Sequence, residues 1–180
     1  ETLPTDLVVI GVGIIPESGL AEQVGLKVDN GIVVDEFCRT SAPSIFAAGD
    51  VTNHYNSFVG RHIRLEAWQC AQNMAIAAAK IMCGEETAYA EVPWMWSDQF
   101  DTNLQVAGMP ESWDAIVARG EATSGNFIGF VLQDGKMSGA ISVNQPRDLR
   151  LARRMMDAEK CYTAEELADE SISMRELLKR

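Results

Sequence analysis

Short apolar runs alternate with turn residues and helical stretches in the first half of the chain. Residues 6–10, 31–35 and 45–48 are rich in apolar side chains and are bounded by Gly, Pro or Asp, which predicts three short buried strands. A short helix is predicted over 20–24, whereas the polar residues 53–60 predict a loop. Residues 65–82 contain Ala, Met and Gln without Gly or Pro and predict the longest helix. This half is therefore predicted to be α/β with parallel strands.

From about residue 90 the pattern changes to a series of strands followed by helices. Strands are predicted over 103–107, 115–119, 126–132 and 136–143, and Asp134-Gly135 between the last two is a strong hairpin signal. An Arg-rich helix is predicted over 148–159. A short helix follows at Thr163, whose spacing to Glu166 is that of a capping box. We therefore predict two units, 1–89 and 90–180, the second being a small α+β unit with an antiparallel sheet and terminal helices.

Charge and cysteine content narrow the function classes. The chain carries 26 acidic and 15 basic residues, a net charge of −11, which argues against binding to nucleic acid or to an anionic membrane surface. No apolar run approaches the roughly 18 residues of a membrane span. The four cysteines lack a Cys-x-x-Cys spacing and there are only two histidines, so neither a redox disulfide nor a metal site is predicted. Reduced thiols fit a cytoplasmic protein, whose redox chemistry would need a bound cofactor.

The segment Ile45-Phe46-Ala47-Ala48-Gly49-Asp50 is the strongest candidate for a ligand site. It is an apolar strand that ends in Gly and then Asp. Glycine lets a ligand approach the backbone, and a carboxylate at the end of a strand can accept hydrogen bonds from a polyol. A strand that simply stops at a Gly-Asp turn is an equal alternative for the segment alone.

The order of several segments resembles the C-terminal part of the FAD-dependent NADH–ferredoxin reductases that serve Rieske dioxygenases and bacterial cytochromes P450. These reductases belong to the pyridine nucleotide-dependent flavoprotein superfamily. The resemblance is carried by residues 6–16, 31–35, 45–51, 64–68, 93–99 and 143–150, and the Trp-containing stretches are its most specific part. It implies the C-terminal part of a Rossmann-like FAD domain, preceded by the last strand of the NADH domain, and then the α+β unit.

The resemblance also implies roles for individual residues. Asp50, with Gly49 and Val51 beside it, would hold the flavin ribityl chain and lie near the pyrophosphate. The N-terminus of the long helix would point at the flavin pyrimidine ring and favour its anionic reduced form. The residues expected in that first turn are Glu66, Ala67 and Trp68, with core packing an equal alternative for Trp68.

Three further residues are implied to lie near the NAD dinucleotide. Trp96 would cover the flavin and the nicotinamide from the C-terminal unit, since an indole can stack on a planar ring and exclude water. Gly13 and Ile14 would lie where the backbone passes the NAD dinucleotide, with a packing turn as the equal alternative. The implied reaction carries electrons from NADH through FAD to a [2Fe-2S] ferredoxin, and no protein acid or base is required.

An acidic ferredoxin would need a local basic patch on this acidic chain. Two groups of basic residues are candidates. The first is Arg61, His62 and Arg64; the second is Arg147, Arg150, Arg153 and Arg154, for which a solvated helix face is at least as good a reading.

The Gly-x-Gly-x-x-Gly fingerprints of the FAD and NADH sites do not occur in the 180 residues. We therefore expect an inactive piece of a longer enzyme. One alternative is a non-catalytic dimerisation or interaction module formed by residues 90–180; another is a flavin reductase for a different acceptor, such as rubredoxin. Unpaired apolar strands further predict a homodimer or a strand-exchanged oligomer.

Overall fold

The strands of the chain form two separate sheets. A computed structural model describes residues 2–179. The elements in chain order are α1 Gly19–Gln23, β1 Ile32–Val34, β2 Thr52–Asn56, β3 Arg61–Ile63, α2 Trp68–Met82, β4 Trp94–Gln99, β5 Thr102–Gly108, β6 Ala115–Arg119, β7 Phe127–Gln133, β8 Lys136–Val143, α3 Pro146–Asp157, α4 Ala164–Ala168 and α5 Met174–Lys179. The sheet orders are β1-β2-β3 and β4-β5-β8-β7-β6, so the chain is divided between a small mixed sheet and a larger one.

The first sheet packs against the long helix α2. Strand β1 pairs with β2 in parallel, and β2 pairs with β3 antiparallel. One side of α2 buries Cys70, Met74 and Ala78 in a cluster with Val34 and Cys38. These positions recur at helical spacing, and small alanines let the helix approach the sheet closely. The predicted helix is confirmed, although it begins at Trp68 rather than at residue 65.

Three predictions for this half are wrong, and the first two concern residues 45–60. Residues 53–60 are not a loop, because 52–56 and 61–63 are the paired strands β2 and β3. The inward-facing residues of β2 are Thr52, His54 and Asn56, each at most 1% exposed, so polar composition conceals a buried strand. Residues 45–48 are not a strand either: Phe46 forms a single bridge to Arg39, and the segment runs as an irregular chain into Gly49.

The strand predicted over residues 6–10 does not form. Within the described chain these residues pair with no other strand, and Leu7, Val9 and Ile10 are between 76% and 86% exposed. An extended segment becomes a strand only when its N–H and C=O groups meet a neighbour, and no described segment provides one. The predicted self-association of the chain is not decided by this geometry and stays a prediction.

The second sheet is antiparallel throughout, as predicted. Its hairpin at Asp134-Gly135 has positive φ at both residues, 52° and 74°, which matches the twist of the flanking strands. Helix α3 covers one face and buries Leu149, Ala152 and Met155 against it. Helix α4 begins with the predicted capping box between Thr163 and Glu166. The predicted fold class, α/β followed by α+β with terminal helices, is confirmed.

The segment between α2 and β4 is held by hydrogen bonds at Glu91. Asn73 of α2 donates from Nδ2 to both carboxylate oxygens of Glu91, at 2.7 and 2.8 Å. Asn56 of β2 donates to the main-chain carbonyl of Glu91 at 3.0 Å. The N–H of Tyr89 donates to the carbonyl of Glu36 at 2.7 Å. These contacts define where β4, and hence its side chains, lie relative to α2.

Buried His54 predicts an acid-dependent loss of stability. Burial, together with the nearby His62, lowers the pKa of His54 from 6.5 to about 4. Between these values the unfolded chain binds a proton that the folded chain does not, so the free energy of unfolding falls as the pH is lowered. The contribution of His54 is about 2 kcal/mol between pH 7 and pH 4.5.

The variant His54→Leu removes this proton, and urea unfolding at pH 7 and pH 4.5 measures the result. We expect the loss of unfolding free energy on acidification to be smaller in the variant by that amount. The comparison variant is His62→Leu, which should change the pH dependence less than His54→Leu does, because burial contributes more than His62 to the lowered pKa of His54. Parallel pH profiles for the natural chain and His54→Leu would refute the assignment.

Candidate functional site

A tight turn precedes β2 and contains the Gly-Asp pair. Gly49 has φ of +85°, and a Cβ at this position would lie 3.4 Å from the Cβ of Ala71 in the first turn of α2. The turn is closed by Thr52, whose hydroxyl donates to the carbonyl of Gly49 at 2.7 Å. Both the left-handed backbone and the close helix favour glycine here. Gly49 is thus the point at which the turn and α2 meet.

Asp50 follows in this turn with an unusual environment. Its Oδ1 atom is buried and has no hydrogen-bond partner among the described residues. Burial raises the pKa of the Cys70 thiol, and the neighbouring charge of Asp50 adds to this shift, which places the carboxylate near the first turn of α2. A buried hydrogen-bond acceptor without a donor lowers the stability of the folded chain, and such atoms are usually explained by a function or a bound group. Here the missing donor is one that a bound ligand could provide.

The N-terminus of α2 is also open. Its N-cap residue, Ala67, has extended geometry and offers no side-chain hydrogen bond, and the first turn contains no acidic residue. The first N–H groups of this 15-residue helix are consequently available to an acceptor, and the helix dipole favours partial negative charge there.

Three indoles meet beside this helix end. Trp96 of β4 lies with its edge towards Trp68, the first residue of α2, at a centroid distance of 6.3 Å. Trp94, two positions before it on the same face of β4, stacks on Trp96 at 5.1 Å with an interplanar angle of 28°. Trp68 is 64% exposed and Trp96 is 36% exposed, so both rings retain free surface. The C-terminal sheet therefore contributes aromatic faces to the same helix end.

The Gly49-Asp50 turn, the open N-terminus of α2 and the indole rings all lie at the first turn of α2. Gly49 contacts it at Ala71 and Trp96 contacts it at Trp68, positions within one helical turn of about 5 Å. The arrangement offers a carboxylate acceptor, free main-chain donors and indole faces. It suits a ligand with hydroxyl donors beside a planar ring that carries electron-rich acceptors.

Two protein-family models match the chain. Residues 94–178 match the reductase C-terminal family, and residues 1–75 match the pyridine nucleotide-disulphide oxidoreductase family. The chain is thus similar to the pyridine nucleotide-disulphide oxidoreductases in its first part and to the reductase C-terminal family in its second.

Individual relatives match almost the whole chain. It is 45% identical to the ferredoxin–NAD(+) reductase component of the anthranilate 1,2-dioxygenase system of Burkholderia cepacia, over 96% of the chain and 43% of that protein. It aligns with the ferredoxin reductase structure from Rhodopseudomonas palustris at a TM-score of 0.93 and 36% identity, covering 99% of the chain and 44% of the other. Putidaredoxin reductase in its covalent complex with putidaredoxin gives a TM-score of 0.92 and 34% identity, covering 98% and 42%. The chain thus spans less than half the length of these relatives.

In the folded chain most of the predicted site residues lie near one another. Gly49, Asp50 and Val51 form the turn, and Trp68 and Trp96 meet at the helix end. Ala67 is the N-cap rather than a first-turn residue.

Glu66 also lies before the helix, contrary to its predicted place in the first turn. Its carboxylate forms an ion pair with Arg64 at 2.7 Å. Side chains two positions apart share one side of an extended segment, and this pair accompanies the extended conformation that delays the start of α2. Its predicted contact with the flavin stays a prediction.

Gly13 and Ile14 lie apart from this cluster in the described chain. They belong to the extended N-terminal segment, where Ile14 is 52% exposed and a Cβ on Gly13 would meet no atom within 4 Å. Their role beside the dinucleotide is neither supported nor opposed by a contact and stays a prediction.

Two residues of the aromatic cluster escape sequence reasoning. The family resemblance assigns a role to Trp96 and none to Trp94, yet the ring of Trp94 is the one on which Trp96 stacks. Arg153 of α3 lies over the ring of Trp94, with its guanidinium carbon 4.8 Å from the ring centroid. The alternation of Trp94 and Trp96 along a strand was the available signal for their shared face, whereas the contact from α3 depends on tertiary packing.

Residues 2–179 contain no group of His, Cys, Asp or Glu side chains that could hold a metal ion. Burial, with added repulsion from Asp35, raises the pKa of Cys38 to about 11, so this thiol is not a nucleophile at neutral pH. In the same range no helix is long and apolar enough to cross a membrane.

Removing the Asp50 carboxylate should separate ligand binding from stability. In the protein freed of ligand, Asp50→Ala should leave the melting temperature unchanged or raise it, because the unsatisfied buried oxygen is lost, and Asp50→Asn should leave it nearly unchanged, because the amide keeps that oxygen and removes only the charge. Gly49→Ala is the contrasting variant and should lower stability by about 1 kcal/mol, because alanine disfavours positive φ. Thermal unfolding measures both effects. A clear loss of stability on removal of the Asp50 carboxylate would show that it serves the fold.

Proposed function

We propose that this chain is the C-terminal part of an FAD-dependent NADH–ferredoxin reductase. The observation that carries the proposal is the buried, unpaired Oδ1 of Asp50 next to the open N-terminus of α2. A flavin with its ribityl chain matches both: the ribityl hydroxyls are donors for Asp50, and the pyrimidine edge offers acceptors for the helix N–H groups. The names and identities of the relatives favour the same cofactor class.

The chain contributes binding and coverage to the proposed reaction. FAD, when bound, supplies the chemistry that takes a hydride from NADH and releases single electrons. Asp50 would orient the cofactor through its hydroxyls, and the α2 end would favour negative charge on the pyrimidine side. Trp96, carried by a different sheet, would cover the ring system and exclude water.

The 180 residues supply only part of this site. The Gly-rich fingerprints that cradle the FAD and NAD pyrophosphates in such enzymes do not occur in them. We propose that the chain alone does not turn over NADH and that Gly13 and Ile14 meet the dinucleotide only in the whole protein. We also propose a unit boundary near residue 90, which two separate buried clusters support.

We propose a [2Fe-2S] ferredoxin as the electron acceptor in a cytoplasmic system. One relative is known from a covalent complex with putidaredoxin, and the other two are named as ferredoxin reductases. Free thiols at all four cysteines fit a reducing compartment.

The charges favour α3 as the surface that meets this acidic partner. In the first basic group Arg61 forms an ion pair with Glu111 at 2.8 Å and Arg64 pairs with Glu66, so their charges are largely compensated. Arg147, Arg150 and Arg154 lie exposed along one face of α3 and form no ion pair within residues 2–179. This stripe adjoins the aromatic cluster through Arg153. A docked ferredoxin would therefore sit close to the covered flavin.

The function is tested with the whole protein and its Trp96→Ala variant. The purified whole protein should contain FAD and reduce a [2Fe-2S] ferredoxin with NADH. Trp96→Ala should slow flavin reduction by NADH about tenfold through loss of positioning. The matched control is Trp113→Ala, because Trp113 is also exposed, at 55%, and no ring contact ties it to the aromatic cluster among the described residues. A protein without flavin, equal effects of both variants, or turnover only with rubredoxin would each contradict the proposal.

Charge reversal on α3 tests the docking surface. Converting Arg147, Arg150 and Arg154 to Glu should slow ferredoxin reduction at low salt by at least about tenfold, and the rate should lose its decrease with added salt. Reduction of the small acceptor ferricyanide should change little. Arg175→Glu on α5 is a control for net charge, since Arg175 is exposed on another helix. If reversing Arg61 and Arg64 has the larger effect instead, the first basic group is the docking surface.

A further inference from the structure

A side chain from α3 completes the aromatic cluster at the helix end. The guanidinium carbon of Arg153 lies 4.8 Å from the ring centroid of Trp94. Trp94 stacks on Trp96 at 5.1 Å, and Trp96 meets Trp68 at 6.3 Å. These contacts form one continuous series from α3 through β4 to the first residue of α2.

Arg153 is less exposed to solvent than the neighbouring Arg154. It is half-buried, and its Nε atom is fully shielded without a hydrogen-bond partner in the described chain, whereas Arg154 beside it is exposed. Arg153 also forms no ion pair within residues 2–179. The ring of Trp94 is thus the contact that the structure provides for this shielded cation, and cation–π attraction grows when the cation is desolvated.

Trp94 packs against the hydrophobic core on one side and lies under Arg153 on its ring. The Nε1 atom of Trp94 is buried and has no hydrogen-bond partner among the described residues, so no polar contact holds its plane. Trp94 and Trp96 stand on β4, which is an edge strand of the five-stranded sheet. On an edge strand only one side has a neighbouring strand to restrict the rings, and stacking then sets the plane of Trp96.

We propose that Arg153 is a positioning residue that holds Trp94 flat against Trp96 and thereby sets the plane in which Trp96 covers the flavin. This role rests on the function proposed above, in which Trp96 lies over the cofactor. Arg153 does not contact the cofactor in this role and acts through the indole pair. This role differs from that of the exposed arginines of α3, which we propose to contact the ferredoxin.

The test begins with the ligand-free whole protein, whose stacked indole pair should give an exciton couplet in far-ultraviolet circular dichroism. Arg153→Met keeps an apolar stem and removes the cation, so the couplet should fall at least about twofold. Arg153→Lys should restore most of it. Arg154→Met on the same helix is the matched control and should leave it intact. Trp94→Phe removes the stacked indole and defines the signal of the lost pair.

The second measurement is the rate of flavin reduction by NADH in the whole enzyme. Arg153→Met should slow it about threefold or more, with recovery in Arg153→Lys and no change in Arg154→Met. Thermal unfolding checks the fold of each variant, and Arg153→Gln, which keeps a polar end without charge, replaces the Met variant if that one does not fold.

The outcomes separate this inference from the proposed function. An unchanged couplet in Arg153→Met overturns the positioning role, whatever the protein does. A reduced couplet with an unaltered rate of flavin reduction also overturns it, because the indole plane would then not matter to the reaction. A normal rate in Trp96→Ala, by contrast, is a failure of the proposed function, since it removes the cover itself. Loss of both signals in Arg153→Met and their return in Arg153→Lys support the assignment.

Discussion

The hydrogen bonds at Glu91 are the constraint on which the composite site depends. The carboxylate accepts both of its bonds from one amide group, Asn73 of α2, while the Glu91 carbonyl accepts from Asn56 of β2. Hydrogen bonds to a charged acceptor are stronger than neutral ones, and the two donors come from elements that already pack together. The chain leaves Glu91 towards β4 in a set direction, and three residues later the first tryptophan of the cluster begins the strand. Without this anchor, Trp96 and Asp50 would lie on units that are free to move apart.

The sequence is informative where burial and apolar character coincide. All four strands predicted after residue 90 exist, because each contains an apolar run near turn residues and Asp134-Gly135 supplies the positive φ that the hairpin needs. Strand β2 could not be found this way, because the residues it buries are Thr52, His54 and Asn56. The Asn56 amide donates to the carbonyl of Glu91, a partner that only the folded chain brings near, and the Thr52 hydroxyl donates to Gly49 within the local turn. The apolar residues 6–10 give the opposite error, since a strand pattern without a neighbour remains unpaired.

In the candidate site, too, the local sequence predicts some residues, and only tertiary packing determines the others. The Gly49-Asp50 turn, Trp68 and Trp96 could be predicted because motif and resemblance mark them locally. The start of α2 could not, since the ion pair between Arg64 and Glu66 accompanies an extended segment where composition favours helix. Arg153 could not be singled out among four arginines of α3, because only packing distinguishes the ring-bound one from the exposed ones. The local sequence thus identifies candidate residues of the site, and the tertiary contacts distinguish the role of one residue from that of another.

Several groups without partners lie together at the first turn of α2, and this is the strongest structural argument for a ligand there. His54 shows that one buried unpaired group is not sufficient, because its ring is enclosed beside Tyr89 at a centroid distance of 5.5 Å and faces no open site. At the first turn of α2, by contrast, an unpaired carboxylate oxygen, an uncapped helix end and a largely exposed tryptophan lie together. Each costs stability in the chain by itself, and elsewhere the same chain caps α4 fully with Thr163 and Glu166. Such local costs persist together where function requires them, because one ligand can satisfy all three at once.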